Sequence, residues 1–271
     1  MRLLFLGDIV GRSGREAVVT VLPQLKRQLS IDCAIVNAEN AAGGFGITEA
    51  IAHDLFAAGA DCLTSGNHAF DQKDSHNFID GERRFLRPAN YPPGVPGRGT
   101  AMIQTASGAT VLVMNLMGRI FMDPLDDPFQ IVDRELNACR LGQGADAIVV
   151  DIHAEATSEK MAMGHYCDGR ASLVVGTHSH IPTADAQILP MGTAYQTDAG
   201  ACADYDSVIG MEKTEPLVKF VRRMGQGKMQ PAAGPATVCG VFVETDPRTG
   251  LATRVEPVRV GGRLKMTLPE L

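Results

Sequence analysis

Five apolar runs of the sequence each end in side chains that can bind metals or transfer protons. The set comprises Asp8, Glu39, Asn40, Asn67, His68, His153, His178 and His180. It offers two carboxylates, two amide oxygens and four imidazoles, and it contains no thiolate. Hard oxygen atoms mixed with imidazole suit Mn, Fe or Zn. The set is too large for one ion, so the sequence predicts two ions that share a carboxylate, an arrangement that serves in-line displacement at phosphorus.

Each of these residues alone also has an ordinary structural explanation. Asp8 follows a glycine and could simply belong to a turn, and His153 alone is more typical of a core or rim histidine. We expect Gly66 to adopt a backbone conformation closed to other residues. We also expect His178 and His180 to lie on the same side of an extended segment, because side chains alternate along a strand. Only the combination, in this order along the chain, favours a metal site.

The elements that must position these residues alternate between strands and helices. Apolar runs predict strands over 2–7, 32–37, 61–65, 146–152 and 173–176, and hairpins over 100–106/109–116 and 236–245/251–260. Helical spacing predicts helices over 13–29, from Thr48 onward with that residue as N-cap, and over 128–141, 158–168 and 212–223. The opening β-α-β-α-β order indicates an α/β fold with a largely parallel sheet. Polar residues at one end of such a sheet lie where ligands bind. We expect one domain over residues 1–271.

Composition narrows the classes of function. The 271 residues carry a formal charge of −6, which disfavours stable binding along a nucleic-acid backbone. The six cysteines are scattered without a C-x-x-C pair and are expected to be buried free thiols of a reducing compartment. The apolar start is too short for a secretory signal, and no later run could span a bilayer, so a cytoplasmic location without a membrane partner is expected.

The motifs resemble those of the calcineurin-like metallophosphoesterases. Gly7-Asp8, Gly66-Asn67-His68, Asp151-Ile152-His153 and Gly176-Thr177-His178-Ser179-His180 occur in that family's order. Two departures stand out: Val10 occupies the place of a histidine, and Glu39-Asn40 stands where the general pattern has an aspartate. With these departures, roughly the first four-fifths of the chain is similar to the YmdB-like 2′,3′-cyclic nucleotide phosphodiesterases, which share the unusual Glu-Asn pair.

The resemblance implies a fold, a ligand set and a reaction. The fold would be a metallophosphoesterase-type four-layer αββα sandwich with mixed sheets. Two metal ions per chain, most often iron with manganese or zinc as alternatives, would be held by Asp8, Glu39, Asn40 and His180 and by Glu39, Asn67, His153 and His178. Glu39 would bridge them, and His68 would donate a proton. A small phosphodiester such as 2′,3′-cyclic AMP would be hydrolysed to a nucleoside monophosphate by a metal-bound hydroxide. A homo-oligomer is compatible with this implication.

Several alternatives stay open at this point. The same site could serve a phosphomonoesterase or a nuclease, and a protein that only senses metal or binds nucleotide could also carry it. The glycine-rich 42–46 loop could admit substrate or could be a plain turn. Three further histidines are expected to be structural or solvated: His53, His76 and His165. Three aspartates could support ligand imidazoles or cap loops: Asp198, Asp204 and Asp206.

Overall fold

The computed structural model describes residues 1–73, 75–225 and 227–270, and over these it forms six helices and two mixed β-sheets. The helices are α1 (Gly11–Gln28), α2 (Glu49–Ala57), α3 (Ser75–Gly81), α4 (Pro128–Ala138), α5 (Thr157–Tyr166) and α6 (Thr214–Arg222). The strands are β1 (Arg2–Leu6), β2 (Cys33–Asn37), β3 (Cys62–Thr64), β4 (Phe85–Leu86), β5 (Thr100–Gln104), β6 (Thr110–Met117), β7 (Ala147–His153), β8 (Leu173–Thr177), β9 (Gln187–Ile188), β10 (Ala194–Gln196), β11 (Ala203–Asp204), β12 (Ala236–Thr245) and β13 (Ala252–Val260). No helix of these described ranges is long and apolar enough to cross a bilayer.

The first sheet has the strand order β11-β12-β1-β2-β3-β4, and β13 pairs with β12. Strands β1 to β4 are mutually parallel, which confirms the parallel arrangement predicted for the opening β-α-β-α-β segment. The predicted terminal hairpin is also confirmed, and its strand β12 runs antiparallel to β1. The predicted N-cap holds as well, since Ile51 donates its backbone N–H to Thr48 Oγ1 at 3.4 Å.

The second sheet has the order β5-β6-β7-β8-β10-β9. Its inner strands β6, β7, β8 and β10 are parallel, and β5 pairs with β6 as the predicted antiparallel hairpin. The helix α4 begins at Pro128, and Asp127 caps it by accepting the N–H of Phe129 at 2.9 Å. A proline at the first helical position costs no hydrogen bond, because that N–H has no partner within the helix.

The four layers are held together by apolar side chains that alternate between the two faces of the strands. In β1, Leu4 and Leu6 belong to the apolar cluster that contains the buried face of α1, including Leu22. Their neighbours Leu3 and Phe5 point the other way, into the cluster between the sheets. A third cluster joins the far face of the second sheet to α4 and α5. The predicted αββα sandwich with mixed sheets is therefore confirmed.

One expectation changes once the sheets are known. The strand ends predicted to share one sheet edge belong to both sheets: β1, β2 and β3 lie in the first, and β7 and β8 in the second. The functional side chains therefore converge where the ends of two stacked sheets meet. The cysteines agree with the prediction: all six are free, and all are buried except the partly buried Cys139.

Candidate metal centre

The ends of five strands bring the predicted side chains into one buried site. Asp8 follows β1, Glu39 and Asn40 follow β2, and Asn67 follows β3. His153 is the last residue of β7, and His178 and His180 follow β8. Asp8, Glu39, Asn40, His153 and His180 are each at most 5% exposed. Charged and polar groups are buried to this extent only when other groups or ions compensate them.

The potential ligands form two groups that share one carboxylate. Glu39, His153 and His178 make up the first group, and Asp8, Glu39 and His180 make up the second. Within each group the ligand atoms lie within 4.8 Å of one another. Glu39 is thus the residue that the two candidate groups have in common.

The surroundings of His153 identify where a cation would fit. Its Nδ1 lies 2.9 Å from the hydroxyl of Thr177, and that hydroxyl donates to Asp151 Oδ1 at 2.7 Å. A hydroxyl has one proton, so Thr177 must accept from His153 Nδ1–H, and in the neutral ring Nε2 keeps its lone pair. This Nε2 faces three further lone-pair atoms: Asn67 Oδ1 at 2.9 Å, Glu39 Oε2 at 3.1 Å and His178 Nδ1 at 3.1 Å.

The pKa values of the residues at this site also indicate that positive charge is needed there. Burial alone would lower the pKa of His153, but the carboxylates of Glu39 and Asp8 raise it to about 9. Burial also favours the neutral form of Glu39, yet nearby His153 holds the pKa of that carboxyl well below its usual range. Burial and the charge of His153 lower the pKa of His178 to about 3, which leaves its ring a neutral ligand. Positive charge is thus needed beside Glu39, and either a proton or a metal ion can supply it.

The segment that carries His178 and His180 is not extended, so the expectation of two imidazoles on one side of a strand is wrong. Both residues have left-handed backbones, with φ of 89° and 65°. The two rings therefore point into different groups. His180 Nδ1 lies 2.7 Å from the carbonyl of Ile209 and must donate to it, which leaves Nε2 for the site. His178 Nε2 lies 3.2 Å from Glu155, while Nδ1 faces His153.

Asn40 lies beside the second ligand group, and its amide oxygen lacks a hydrogen-bond partner within the described residues. Its amide nitrogen is 2.9 Å from Glu39 Oε1 and 3.2 Å from His180 Nε2. Its buried Oδ1 has no hydrogen-bond partner in the described part of the chain. A half-turn of the amide exchanges oxygen and nitrogen and points the oxygen at the same place as His180 Nε2. Val10, which replaces a histidine of the general pattern, is buried in an apolar cluster and offers no ligand.

The neighbours Asn67 and His68 have different environments. The Asn67 oxygen points at His153, whereas His68 belongs to neither ligand group. His68 Nδ1 lies 2.8 Å from Asp71, its ring meets Phe45 edge to face at 5.1 Å, and its side chain is 27% exposed. An imidazole held by a carboxylate at the edge of the site can exchange a proton with a bound molecule.

Gly66 is required for space and not for an unusual φ, which corrects the expectation from sequence. Its φ is not positive. A Cβ added there would lie 2.2 Å from His153 Nε2 and 2.3 Å from Glu39 Oε2. The backbone thus forms one wall of the site, and only glycine leaves room for these two side chains.

Several contributors were missed in the sequence because their partners are distant in the chain. Lys160 is fully buried and donates to Asp198 at 2.7 Å and to Ser179 at 2.9 Å. Asp198 also accepts the N–H of Ser179 at 3.1 Å, so it holds the backbone between the two site histidines and contacts neither ring. Asp204 caps the N–H of Asp206 and of Gly234, and Asp206 pairs with Lys213. No motif marked Lys160 or Glu155 in advance, and Thr177 stood within the Gly176–His180 motif without an assigned role.

A cavity of about 260 Å³ opens directly onto the two ligand groups. Its lining residues are Glu39, Asn40, Gly44, Phe45, His68, Glu155, His178, Ser179, His180, Ile209, Met211 and Met229. A larger hollow of about 660 Å³ between α1 and α2 contains none of the predicted ligands. The three other histidines, at positions 53, 76 and 165, do not line the smaller cavity either.

The chain is similar in sequence and in overall structure to several known proteins. A sequence model described as "YmdB-like protein" matches residues 4–258. The chain is 45% identical, over 96% of its length and 97% of the relative's, to a Bacillus subtilis (strain 168) protein named 2′,3′-cyclic-nucleotide 2′-phosphodiesterase. Its structure is similar to that of a hypothetical protein from Thermus thermophilus, with a TM-score of 0.90, 41% identity and coverage of 97% of this chain and 100% of that one. It is also similar to the structure of a novel phosphatase from Mycoplasma pneumoniae, with a TM-score of 0.89, 31% identity and coverage of 96% and 93%.

Proposed function

The chain belongs to the YmdB-like protein family, and from this premise we propose that it is a metal-dependent phosphodiesterase that hydrolyses 2′,3′-cyclic nucleotides. The observation that carries the proposal is the meeting of His153 Nε2 with three other lone-pair atoms, one of which belongs to the carboxylate shared by the two ligand groups. In this proposal residues 1–271 act as one metallophosphoesterase domain, because both sheets supply ligands.

Two cations fit the donors that this chain supplies. Asp8, Glu39, His180 and Asn40, with its amide turned, would hold one ion. Glu39, Asn67, His153 and His178 would hold the other. The mixture of oxygen and imidazole donors accepts iron, manganese or zinc, and we propose iron as the native metal. When bound, such a pair supplies charge neutralisation at the phosphate and a water of lowered pKa.

The charge of the chain's own residues supports an anionic substrate only with the metals in place. Asp8 and Glu39 contribute −2, and the asparagine and histidine ligands are neutral. Two divalent ions would give this set of ligands and ions a net positive charge within a protein of net charge −6. A small anionic phosphodiester would be attracted to this positive charge and oriented by it.

His68 is the group proposed to move a proton. Asp71 accepts from its Nδ1 at 2.8 Å, which directs Nε2 away from the carboxylate. The departing ribose oxygen is a poor leaving group unless it is protonated. Proton delivery from His68 Nε2 to that oxygen would complete cleavage of the P–O bond.

One experiment tests the proposal against its rivals. Metal content is measured on protein purified without added metal, and turnover is then compared for 2′,3′-cyclic AMP, a linear diester and a phosphomonoester. Two ions per chain and a preference for the cyclic diester are expected. Preference for the monoester would favour a phosphatase, and cleavage of linear RNA would favour a nuclease. A His68→Ala variant that keeps its metals and its full turnover would contradict the assigned proton donor.

A further inference from the structure

The cavity beside the metal groups has two chemically different sides. Its floor is defined here by four of the proposed ligands and the proposed proton donor: Glu39, Asn40, His178, His180 and His68. Its wall is defined by four apolar side chains, Phe45, Ile209, Met211 and Met229, of which Phe45, Met211 and Met229 pack in one apolar cluster. No lysine or arginine is among the described residues that line it. Anionic groups can therefore be held at the floor only, and the wall suits an uncharged, flat, apolar part of a ligand.

The loop before α2 holds Phe45 in place. Gly44 and Gly46 have φ of 91° and 72°, which glycine adopts without strain, and Ala42 N–H donates to Gly46 O at 2.8 Å. Gln72 Nε2 donates to the carbonyl of Phe45 at 2.6 Å. The loop is thus a braced turn that presents the Phe45 ring beside His68.

Ile209 is exposed on this wall in an unfavourable conformation. It has a φ of 50°, and a β-branched residue rarely adopts such a value unless the surrounding structure imposes it. Its carbonyl accepts from His180 Nδ1 at 2.7 Å, and its side chain remains 51% exposed. The neighbouring Gly210 is pressed against Val10, where an added Cβ would come within 2.9 Å. The conformation that orients His180 therefore also keeps an isoleucine side chain at the cavity.

We propose that Phe45, Ile209 and Met229 form the subsite for the nucleobase of the substrate. This deepens the proposed function and rests on it, because the phosphodiester is taken to lie on the metal floor. The ribose then carries the base away from the floor, toward the uncharged side of the same cavity. Bases stack on aromatic and apolar side chains regardless of their identity, and methionine adapts to different shapes. The subsite therefore recognises the presence of a base and tolerates several bases.

The test compares substrates with and without a base. The probes are 2′,3′-cyclic AMP, 2′,3′-cyclic CMP and methyl ribofuranoside 2′,3′-cyclic phosphate, in which a methoxy group replaces the base. Phe45→Ala should lower kcat/KM for both nucleotides by roughly tenfold, mainly through KM, and change it by less than about twofold for the methyl riboside. The matched control is Phe121→Ala, which removes a phenylalanine that is 88% exposed and does not line the cavity.

The outcomes separate this subsite from the proposed reaction. An equal loss on all three probes, or a wild-type enzyme that turns over the methyl riboside as well as the nucleotides, would overturn the subsite. If the metal-loaded wild type hydrolyses none of the probes, the proposed function fails. Calorimetric binding of adenosine 3′-monophosphate and of methyl riboside 3′-phosphate then decides the subsite. Weaker binding of the nucleotide alone to the Phe45→Ala variant supports it, and unchanged binding of both overturns it.

Discussion

A single methyl group added at Gly66 should prevent metal ions from binding at the proposed metal centre. The Cβ of Gly66→Ala would lie 2.2 Å from His153 Nε2 and 2.3 Å from Glu39 Oε2, while ordinary contact begins at 3.4 Å. The two ligand atoms would have to move by about 1.2 and 1.1 Å. A misplacement of about 1 Å at a reacting centre can lower the rate roughly a hundredfold. Glu39 belongs to both ligand groups, so both ions should be affected.

The assay for Gly66→Ala measures metal content, turnover of 2′,3′-cyclic AMP and the melting temperature. We expect fewer than one ion per chain on average and a loss of kcat/KM of at least about 10²-fold, with the fold retained because overpacking typically costs about 1–3 kcal/mol. The matched control is Gly81→Ala at the end of α3, where an added Cβ meets no atom of the described residues within 4 Å. A Gly66→Ala protein with two ions and wild-type turnover would refute the reasoning.

Three further predictions follow from the same contacts. His68→Asn should lower kcat by about 10²–10⁴-fold with both metals retained, and Asp71→Asn should lower it less, because the ring keeps its nitrogen; an unchanged kcat in both would contradict the proton-donor role. Lys160→Met leaves the buried carboxylate of Asp198 unpaired, so the free energy of unfolding of the metal-free protein should fall by about 3–5 kcal/mol, with partial recovery in Lys160→Met/Asp198→Asn; equal melting temperatures for the wild type and the single variant would argue against the pair. A thiol reagent should label Cys139 alone in the native protein, because the other five thiols are buried, and mass spectrometry of labelled peptides checks this.

The sequence predicts the local elements of this fold well, because each depends on neighbours in the chain. The apolar runs become strands, and Thr48 caps its helix through a residue three positions away. The assignment of strands to sheets is a different matter, since it depends on pairing between distant segments. Strand β12, near the end of the chain, inserts beside β1, and no periodicity in either strand specifies that partner.

The candidate site divides in the same way between local and distant determinants. Strand ends indicate the candidate ligand residues because each apolar run of the sequence stops where polar side chains begin. The directions of their rings are set by partners that the sequence does not mark. Alternation along a strand would point His178 and His180 the same way, but both backbones are left-handed. The buried Lys160 and Asp198 hold Ser179 between them, so the two rings diverge into separate groups.

The unequal surroundings of the two carboxylates indicate which of them is suited to bridge two ions. Burial raises the pKa of Asp8 to about 6, because the charge of its neighbours compensates the loss of water only in part. Glu39 is equally buried, yet its pKa lies well below the usual range, since His153 Nε2 is 3.1 Å away and more distant imidazoles add to the effect. The site therefore stabilises negative charge at Glu39 more than at Asp8. Glu39 is also the carboxylate that both ligand groups contain, and we therefore propose it as the one shared between two cations.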